Sequence, residues 1–151
     1  DCDVHQGDGT ASILQNIDAA VTVSLHCENN FPARKAQSDW DIPLPRGLDD
    51  AGYLHTLEQV LNYLLPLYQP DLVLYDAGVD VHQQDALGYL HLTDAGIAAR
   101  DHLVINRCLA QDIPVCAVIG GGYDRDRDAL ARRHGILHHS AAAIWQQRGL
   151  G

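Results

Sequence analysis

The feature of this sequence that most limits its fold is a regular alternation of apolar runs with segments of helical periodicity. Short runs rich in Val, Leu and Ile occupy residues 20–26, 71–75 and 114–119, and each has the length and composition of a buried strand. Segments long enough to form a helix separate them. Because this alternation is typical of parallel strands joined by helices, we predict an α/β fold with three layers, in which helices cover both faces of a mainly parallel sheet.

Two of the intervening segments show helical spacing in detail. Apolar residues recur with helical period between residues 53 and 65, and Pro66 is expected to kink or end that helix. A second helix is predicted to begin at Thr93 and Asp94 and to stop before Pro114. Residues 28–52 contain three prolines and are predicted to form one long irregular loop, a type of segment that is often functional.

Composition and charge exclude several classes of protein. The 151 residues are 46% hydrophobic and 20% charged, which fits one globular domain. A formal charge of −10 disfavours direct binding to nucleic acid. No apolar run is long enough to span a membrane, and the first residues do not resemble a signal peptide. Because Cys2, Cys27, Cys108 and Cys116 lack paired spacing, we expect reduced core thiols, no disulfide and a cytoplasmic protein.

Polar residues that end an apolar strand mark the candidate site, since ligands of open parallel sheets bind at the carboxyl ends of the strands. Three such places stand out, at residues 1–9, 76–80 and 120–123. In the first, Asp3 and His5 are two residues apart, so on an extended chain both side chains leave the same face and can bind one ion. Asp80 is a candidate third ligand.

One imidazole and two carboxylates leave coordination positions open for water and substrate, as a catalytic dication requires. Zinc in such a site brings the pKa of a bound water to about 7 and polarises a substrate carbonyl, so amide hydrolysis fits. Taken alone, an Asp-x-His pair caps a turn or bonds to the backbone at a strand end about as often as it binds a metal ion. The glycines that follow and the flanking carboxylates of Asp1 and Asp8 favour the metal interpretation.

The run Gly120, Gly121, Gly122 and Tyr123 follows the last predicted strand. Glycines let the backbone approach a ligand closely. The Tyr123 phenol can donate a hydrogen bond to a developing oxyanion, a contact whose loss typically costs roughly 10²–10³ in rate. Glycine-rich turns with a tyrosine are common, so the run alone is weak evidence. It also lacks the spacing of a dinucleotide or phosphate-binding loop.

Together these three strand ends resemble the histone deacetylases of the arginase/deacetylase superfamily. The sequence Asp-Cys-Asp-Val-His-Gln-Gly-Asp-Gly-Thr at 1–10 resembles the family's metal motif, Val-Ser-Leu-His at 23–26 the strand after it, and Asp-Ala-Gly-Val-Asp at 76–80 the second metal segment. The Gly-Gly-Gly-Tyr run resembles the last motif. Gln6 stands where many members have a second His, and with the segments 30–32, 90–97 and 100–101 it is similar to class IV deacetylases and their bacterial relatives.

The resemblance implies a role for each residue of the site. Asp3, His5 and Asp80 would bind one zinc ion per chain, and Tyr123 would be the oxyanion donor. Asp1 and Asp8 would be the catalytic partners of two tandem histidines. The predicted potassium site comprises Asp1, Asp3, His5, Ser24 and Leu25, and the predicted substrate pocket comprises Phe31, Gly121 and Gly122.

The tandem histidines belong to a segment upstream of the metal motif, and no such pair precedes Asp1. Since the sequence also lacks Met and opens on what resembles a strand end, we expect residues 1–151 to be the C-terminal portion of a single deacetylase domain. The pair His138 and His139 is expected to be a surface or core pair and not a substitute. His26 and His82 are the histidines expected nearest the site.

The implied function is a zinc-dependent amidohydrolase that removes acetyl or longer acyl groups from lysine side chains. Acetylpolyamines and other small acetyl amides are alternative substrates. An arginase-type ureohydrolase fits less well, because it needs an Asp where the chain has Gly7 and a clustered Asp-x-Asp, whereas Asp76 and Asp80 are four apart. A non-catalytic acyl-lysine binding module is an alternative of another class, although the ligands and Tyr123 argue against lost chemistry.

Overall fold

A computed structural model describes residues 1–149 of the chain. The strands are β1 (Val23–Cys27), β2 (Trp40–Leu44), β3 (Val73–Asp76) and β4 (Val115–Val118), and the helices are α1 (Asp8–Leu14), α2 (Asp50–Tyr68), α3 (Asp94–Leu109) and α4 (Arg127–Arg148). The three predicted strands correspond to β1, β3 and β4. The stretch 28–52 was wrongly predicted to be wholly irregular, because it contains β2 and the start of α2.

The strands form two parallel pairs, β1 with β2 and β3 with β4. Residues 1–4 lie between the pairs and hydrogen-bond to both. The Asp1 amine and carbonyl and the Val4 carbonyl bond to β1, and the Cys2 amide donates to the Asp76 carbonyl of β3 at 3.0 Å. The predicted parallel arrangement is therefore confirmed, with the first residues of the chain at its centre.

Helix α2 begins at the Asp49 side chain, which accepts a hydrogen bond from the Gly52 amide. Its residues Tyr53, Leu57, Leu64 and Leu65 face the core, as their spacing predicts. Pro66 does not itself end the helix, which continues past it to Tyr68. A proline in the last turn removes a single backbone hydrogen bond, which the packed apolar face of this helix tolerates.

Helix α3 starts as predicted, with Thr93 as the cap whose side chain accepts from the Gly96 amide. It packs against α2, α4 and β4. Its buried stripe contains apolar residues together with Arg100 and Asp101. Helix α4 contains the adjacent pair His138 and His139.

The core is one cluster built from the strands, residues 1–4 and the inner faces of α2, α3 and α4. The outer face of the β3–β4 pair is exposed, as shown by Leu74 at 72% and Val118 at 52% relative exposure. Cys2, Cys27 and Cys108 are buried free thiols, but Cys116 is exposed, contrary to the expectation of four core thiols. Among the described helices, none has the length and apolar character needed to cross a bilayer.

Candidate metal centre

The structure brings Asp3, His5 and Asp80 together at the carboxyl end of the strands. One oxygen of each carboxylate and a ring nitrogen of His5 all lie within 4.8 Å of one another. The Nδ1 atom of His5 is 3.0 Å from Asp3 Oδ1 and 3.0 Å from Asp80 Oδ2. Residues 1–5 supply two of these side chains, and the turn after β3 supplies the third, so the site depends on the placement of residues 1–4 beside β3.

Backbone amides hold the two carboxylates in place. The Val4 amide donates to Asp80 Oδ1 at 2.8 Å, and the Gly121 amide donates to Asp3 Oδ2 at 2.6 Å. The His5 amide also donates to Asp3 Oδ1 at 2.9 Å. Each carboxylate is thus oriented by the main chain, with one oxygen directed at the imidazole.

The three side chains perturb one another's pKa values. Burial raises the pKa of Asp80 to about 7, with the charge of Asp3 adding to the effect and the hydrogen bond from His5 opposing it. Hydrogen bonds to Asp3 and Asp80 raise the pKa of His5 to about 9. Burial would raise the pKa of Asp3, but hydrogen bonds from its neighbours bring it down to about 2. Two acids therefore share the positive charge of one imidazole.

This donor set fits a divalent metal ion such as zinc. Within residues 1–149, no lysine or arginine side chain hydrogen-bonds to Asp3 or Asp80, so no fixed positive charge satisfies the pair. A dication would balance both carboxylates, and the three side chains leave room for further ligands, as in catalytic zinc sites. The roles of Asp3, His5 and Asp80 as ligands stay a prediction that this geometry supports.

The site has space only because two of the residues around it are glycines. A Cβ atom on Gly121 would lie 2.1 Å from Asp80 Oδ2 and 2.5 Å from Asp3 Oδ2. A Cβ atom on Gly78 would lie 2.4 Å from Asp3 Oδ2. The predicted pocket residue Gly121 is therefore in contact with the ligands themselves. Gly122 instead leaves space for Leu130 and the side chain of His134 on α4.

Tyr123 lies at the open side of the centre. Its ring meets the His5 ring edge-on with 5.7 Å between centroids, and the residue is 45% exposed. Burial and the nearby carboxylates raise the pKa of the phenol, which keeps the hydroxyl protonated and able to donate. The Tyr123 amide donates to Asp85 Oδ2 at 2.7 Å, and the following Asp124 accepts from Arg133 of α4 at 2.5 Å. Two anchors thus hold the segment that carries the phenol.

The residues assigned to the potassium site also lie together. Asp1 Oδ1 accepts from the Asp3 amide at 2.9 Å, and a Cβ atom on Gly7 would lie 2.2 Å from Asp1 Oδ2. The Gly7 amide donates to the Ser24 hydroxyl at 3.3 Å, and the Leu25 amide donates to the Asp1 carbonyl at 3.0 Å. These contacts bring the predicted residues close together, and the potassium site stays a prediction. Asp8 opens helix α1, where its carbonyl accepts from Ser12.

Phe31 is 70% exposed on a loop that side chains hold at both ends. The Asn30 amide group bonds to the carbonyl of Leu87 and to the amide of Tyr89. The buried Gln6 side chain makes two hydrogen bonds with the Ala36 backbone in this loop region and one with Asp41 of β2. The residue that departs from the common histidine of the family is therefore a loop anchor.

The other histidines do not contribute to the centre. His26 is buried, with Nδ1 3.0 Å from the Ser24 hydroxyl. His82 is also buried, with Nε2 3.3 Å from Asp94 and Nδ1 accepting from the Gln84 amide. His138 and His139 are exposed on α4, as expected of a surface pair.

Arg100 is a fully buried charged side chain near the site to which the sequence motifs assign no role. A signal for it exists, since residues 100 and 101 fall on the stripe formed by Ile97, Val104 and Ile105. A charged pair on an apolar helix face must be buried and bonded.

The chain is similar to known proteins in sequence and in fold. An uncharacterized protein of Picosynechococcus sp. is 51% identical over 145 residues, which are 96% of this chain and 48% of that protein. An acetylpolyamine aminohydrolase from Burkholderia pseudomallei superposes with a TM-score of 0.75 at 22% identity, over 92% of this chain and 42% of its own. An HDAC homologue complexed with SAHA gives 0.75 at 25% identity, over 90% of this chain and 38% of its own.

The chain spans about half the length of the Picosynechococcus relative and less of the two solved structures. The shared fold confirms the predicted α/β architecture of the arginase/deacetylase type. A family model described as the histone deacetylase domain matches residues 1–138. The chain belongs to the histone deacetylase family.

Proposed function

We propose that the whole protein is a zinc-dependent deacylase, which hydrolyses the amide of an acyl-lysine side chain or a related acylated amine. The observation that carries this proposal is the convergence of Asp3, His5 and Asp80 within 4.8 Å beside the ring of Tyr123. Membership of the histone deacetylase family supports it.

Each residue has a separate task in this proposal. Asp3, His5 and Asp80 hold the ion, and bound zinc supplies Lewis-acid activation of water and of the substrate carbonyl. Tyr123 donates a hydrogen bond to the oxygen on which negative charge develops. Asp1 and Asp8 orient two histidines that the family has upstream of the metal motif, one of which is the general base.

The metal assignment is tested by zinc content and deacetylation of an acetyl-lysine peptide in the full-length protein. We expect Asp80→Asn to lose both, because the deletion of one carboxylate charge leaves two ligands. The control is Asp71→Asn, the same change at the exposed start of the β3 region. Wild-type zinc content in Asp80→Asn would refute the site.

The role of the phenol is tested separately with Tyr123→Phe, which keeps the ring beside His5. We expect kcat to fall by roughly 10²–10³ with zinc content unchanged. Tyr63→Phe is the control, since Tyr63 is 60% exposed on α2 and its ring packs edge-on against Trp40. Equal kcat values for the two variants would exclude Tyr123 as the donor.

The substrate class is open to a direct comparison. Acetyl-lysine peptide, a long-chain acyl-lysine peptide and an acetylated polyamine are offered to the full-length protein, and the highest kcat/KM identifies the class. We expect an acyl-lysine peptide to be preferred. Binding of an acyl-lysine peptide without turnover by the zinc-loaded protein would instead support a non-catalytic binding module.

We also propose a potassium ion held by Asp1, Ser24 and the carbonyls of His5 and Leu25, which would brace the segment that bears Asp3. Replacing potassium by choline in the buffer is expected to lower the Tm of the full-length protein. An equal Tm in the two salts would refute the cation site.

Residues 1–151 are proposed to be the C-terminal portion of a single deacetylase domain of the class IV type. Support comes from the share of each relative that the chain spans and from Gln6 in place of the common histidine. We place the reaction in the cytoplasm, since the core uses the thiols of Cys2, Cys27 and Cys108 as apolar side chains.

A further inference from the structure

Helix α3 carries a guanidinium group into the interior, where it meets both segments that bear the predicted ligands. The Arg100 side chain has no solvent exposure. Its Nη1 donates to the Gly78 carbonyl at 2.6 Å and to the Cys2 carbonyl at 3.2 Å. Cys2 immediately precedes Asp3, and Gly78 is two residues before Asp80. A single nitrogen atom therefore bridges the two segments.

The direction of this guanidinium is fixed by its neighbours. Its Nε donates to Asp101 Oδ1 at 3.0 Å, and Nη2 lies 3.0 Å from the same oxygen. The Tyr75 hydroxyl donates to that oxygen as well, at 2.6 Å. The guanidinium carbon lies 5.9 Å from the centre of the Tyr75 ring. The pair is thus tied to β3, the strand that leads to Asp80.

Stability alone does not account for a buried charge at this position. Taking an arginine and an aspartate out of water is costly, and apolar residues of similar volume often replace such pairs without loss of stability. The rest of the buried stripe of α3 includes Ile97, Val104, Ile105 and Cys108. What Arg100 adds is a donor for two carbonyls that an apolar side chain would leave unpaired.

We infer that Arg100 is a positioning residue that sets the spacing between Asp3 and Asp80. The inference rests on the proposed metal centre and extends it to α3, which supplies none of the predicted ligands. Leaving aside those ligands, Arg100 is the one side chain in residues 1–149 that hydrogen-bonds to both segments. The Val4 amide also links them, but its bond ends on the Asp80 carboxylate and so depends on the same spacing.

The test measures metal binding and not activity. Cobalt(II) is titrated into the full-length apoprotein, and its visible absorption reports both affinity and coordination geometry. The variants are Arg100→Met, which removes the donor, and Arg100→Lys, which keeps the charge and one donor group. The control is Arg107→Met on the same helix, because Arg107 pairs with Glu58 and its side chain is 39% exposed.

We expect Arg100→Met to bind cobalt about 10–100-fold more weakly, the loss typical when a group that orients a metal ligand is removed. Its absorption band should change in shape, and Arg100→Lys should recover part of the affinity. Arg107→Met should match the wild type. Thermal unfolding of the apoproteins shows whether each variant folds.

Wild-type affinity and spectrum in Arg100→Met would overturn the inference. If Arg100→Met does not fold, the test rests on Arg100→Lys. A wild-type cobalt spectrum in Arg100→Lys would then overturn the inference. Loss of folding in both variants would also overturn it, since Arg100 would then support the whole core. Failure of the metal centre itself is distinguishable, because the wild-type protein and Asp80→Asn would then bind cobalt equally.

Discussion

Replacing Gly121 with alanine tests the centre at its most crowded point. The added Cβ would lie 2.1 Å from Asp80 Oδ2 and 2.5 Å from Asp3 Oδ2, against an ordinary contact of 3.4 Å or more. The backbone at Gly121 does not have a positive φ, so the effect is steric and not conformational. To make room, the two oxygens must each move by roughly 1 Å, well beyond the ~0.2 Å tolerance of metal–ligand distances.

The carboxylates cannot move independently of the main chain. Asp3 Oδ2 is bonded to the Gly121 amide, and Asp80 Oδ1 is bonded to the Val4 amide. We therefore expect zinc affinity to fall by about 10–100-fold, the loss typical when the orientation of metal ligands is disturbed. Overpacking should also cost roughly 1–3 kcal/mol in the free energy of unfolding.

The assay is a zinc titration in competition with a chromophoric chelator, with urea unfolding of the same samples. Gly135→Ala is the matched control, because no atom lies within 4 Å of its added Cβ and it lies inside α4. That variant should bind zinc normally and gain about 1 kcal/mol of stability. A zinc affinity for Gly121→Ala within threefold of the wild type would refute the reasoning.

Three further results are expected. Gln6→Ala removes two hydrogen bonds to the loop that follows Phe31 and one to Asp41 of β2, so KM should rise with zinc content unchanged, whereas exposed Gln37→Ala should have no effect. Thr93→Ala removes the cap of α3 and should cost about 1 kcal/mol in urea unfolding, while Thr93→Ser should retain most of that stability. A chelator should lower the Tm of the wild-type protein, because a free ion concentration of 100 times the Kd stabilises the folded state by about 2.7 kcal/mol. The Tm of Asp80→Asn should not change when the chelator is added.

The strand ends were the part of this protein most accessible from sequence. Asp3 and His5 are neighbours in sequence and Asp80 follows a recognisable strand, so the rule that ligands gather at carboxyl strand ends made all three candidates. The expected extended chain at residues 3–5 was wrong, because these residues form a bend in which the His5 amide donates to Asp3 Oδ1. The start of α3 was equally readable, because Thr93 is a strong capping residue directly before a periodic apolar segment.

Features that depend on contacts between distant residues could not be predicted from local sequence patterns. Strand β2 contains Pro43 and lies in a proline-rich stretch, so its sequence favours a loop, and pairing with β1 decides its conformation. The role of Gln6 depends on a loop about thirty residues away, where its side-chain amide donates to the Ala36 carbonyl and accepts from the Ala36 amide. Local propensity carries no information about such partners.

The position of residues 1–4 between β1 and β3 has a consequence for the order of folding. His5 and Asp80 are 75 residues apart in the chain, so their contact closes a long loop, and the entropy of that closure must be offset before the contact contributes. We therefore expect the centre to be completed late, after β1 and β3 have formed around the first residues. A metal ion bound there would then slow unfolding more than it speeds folding.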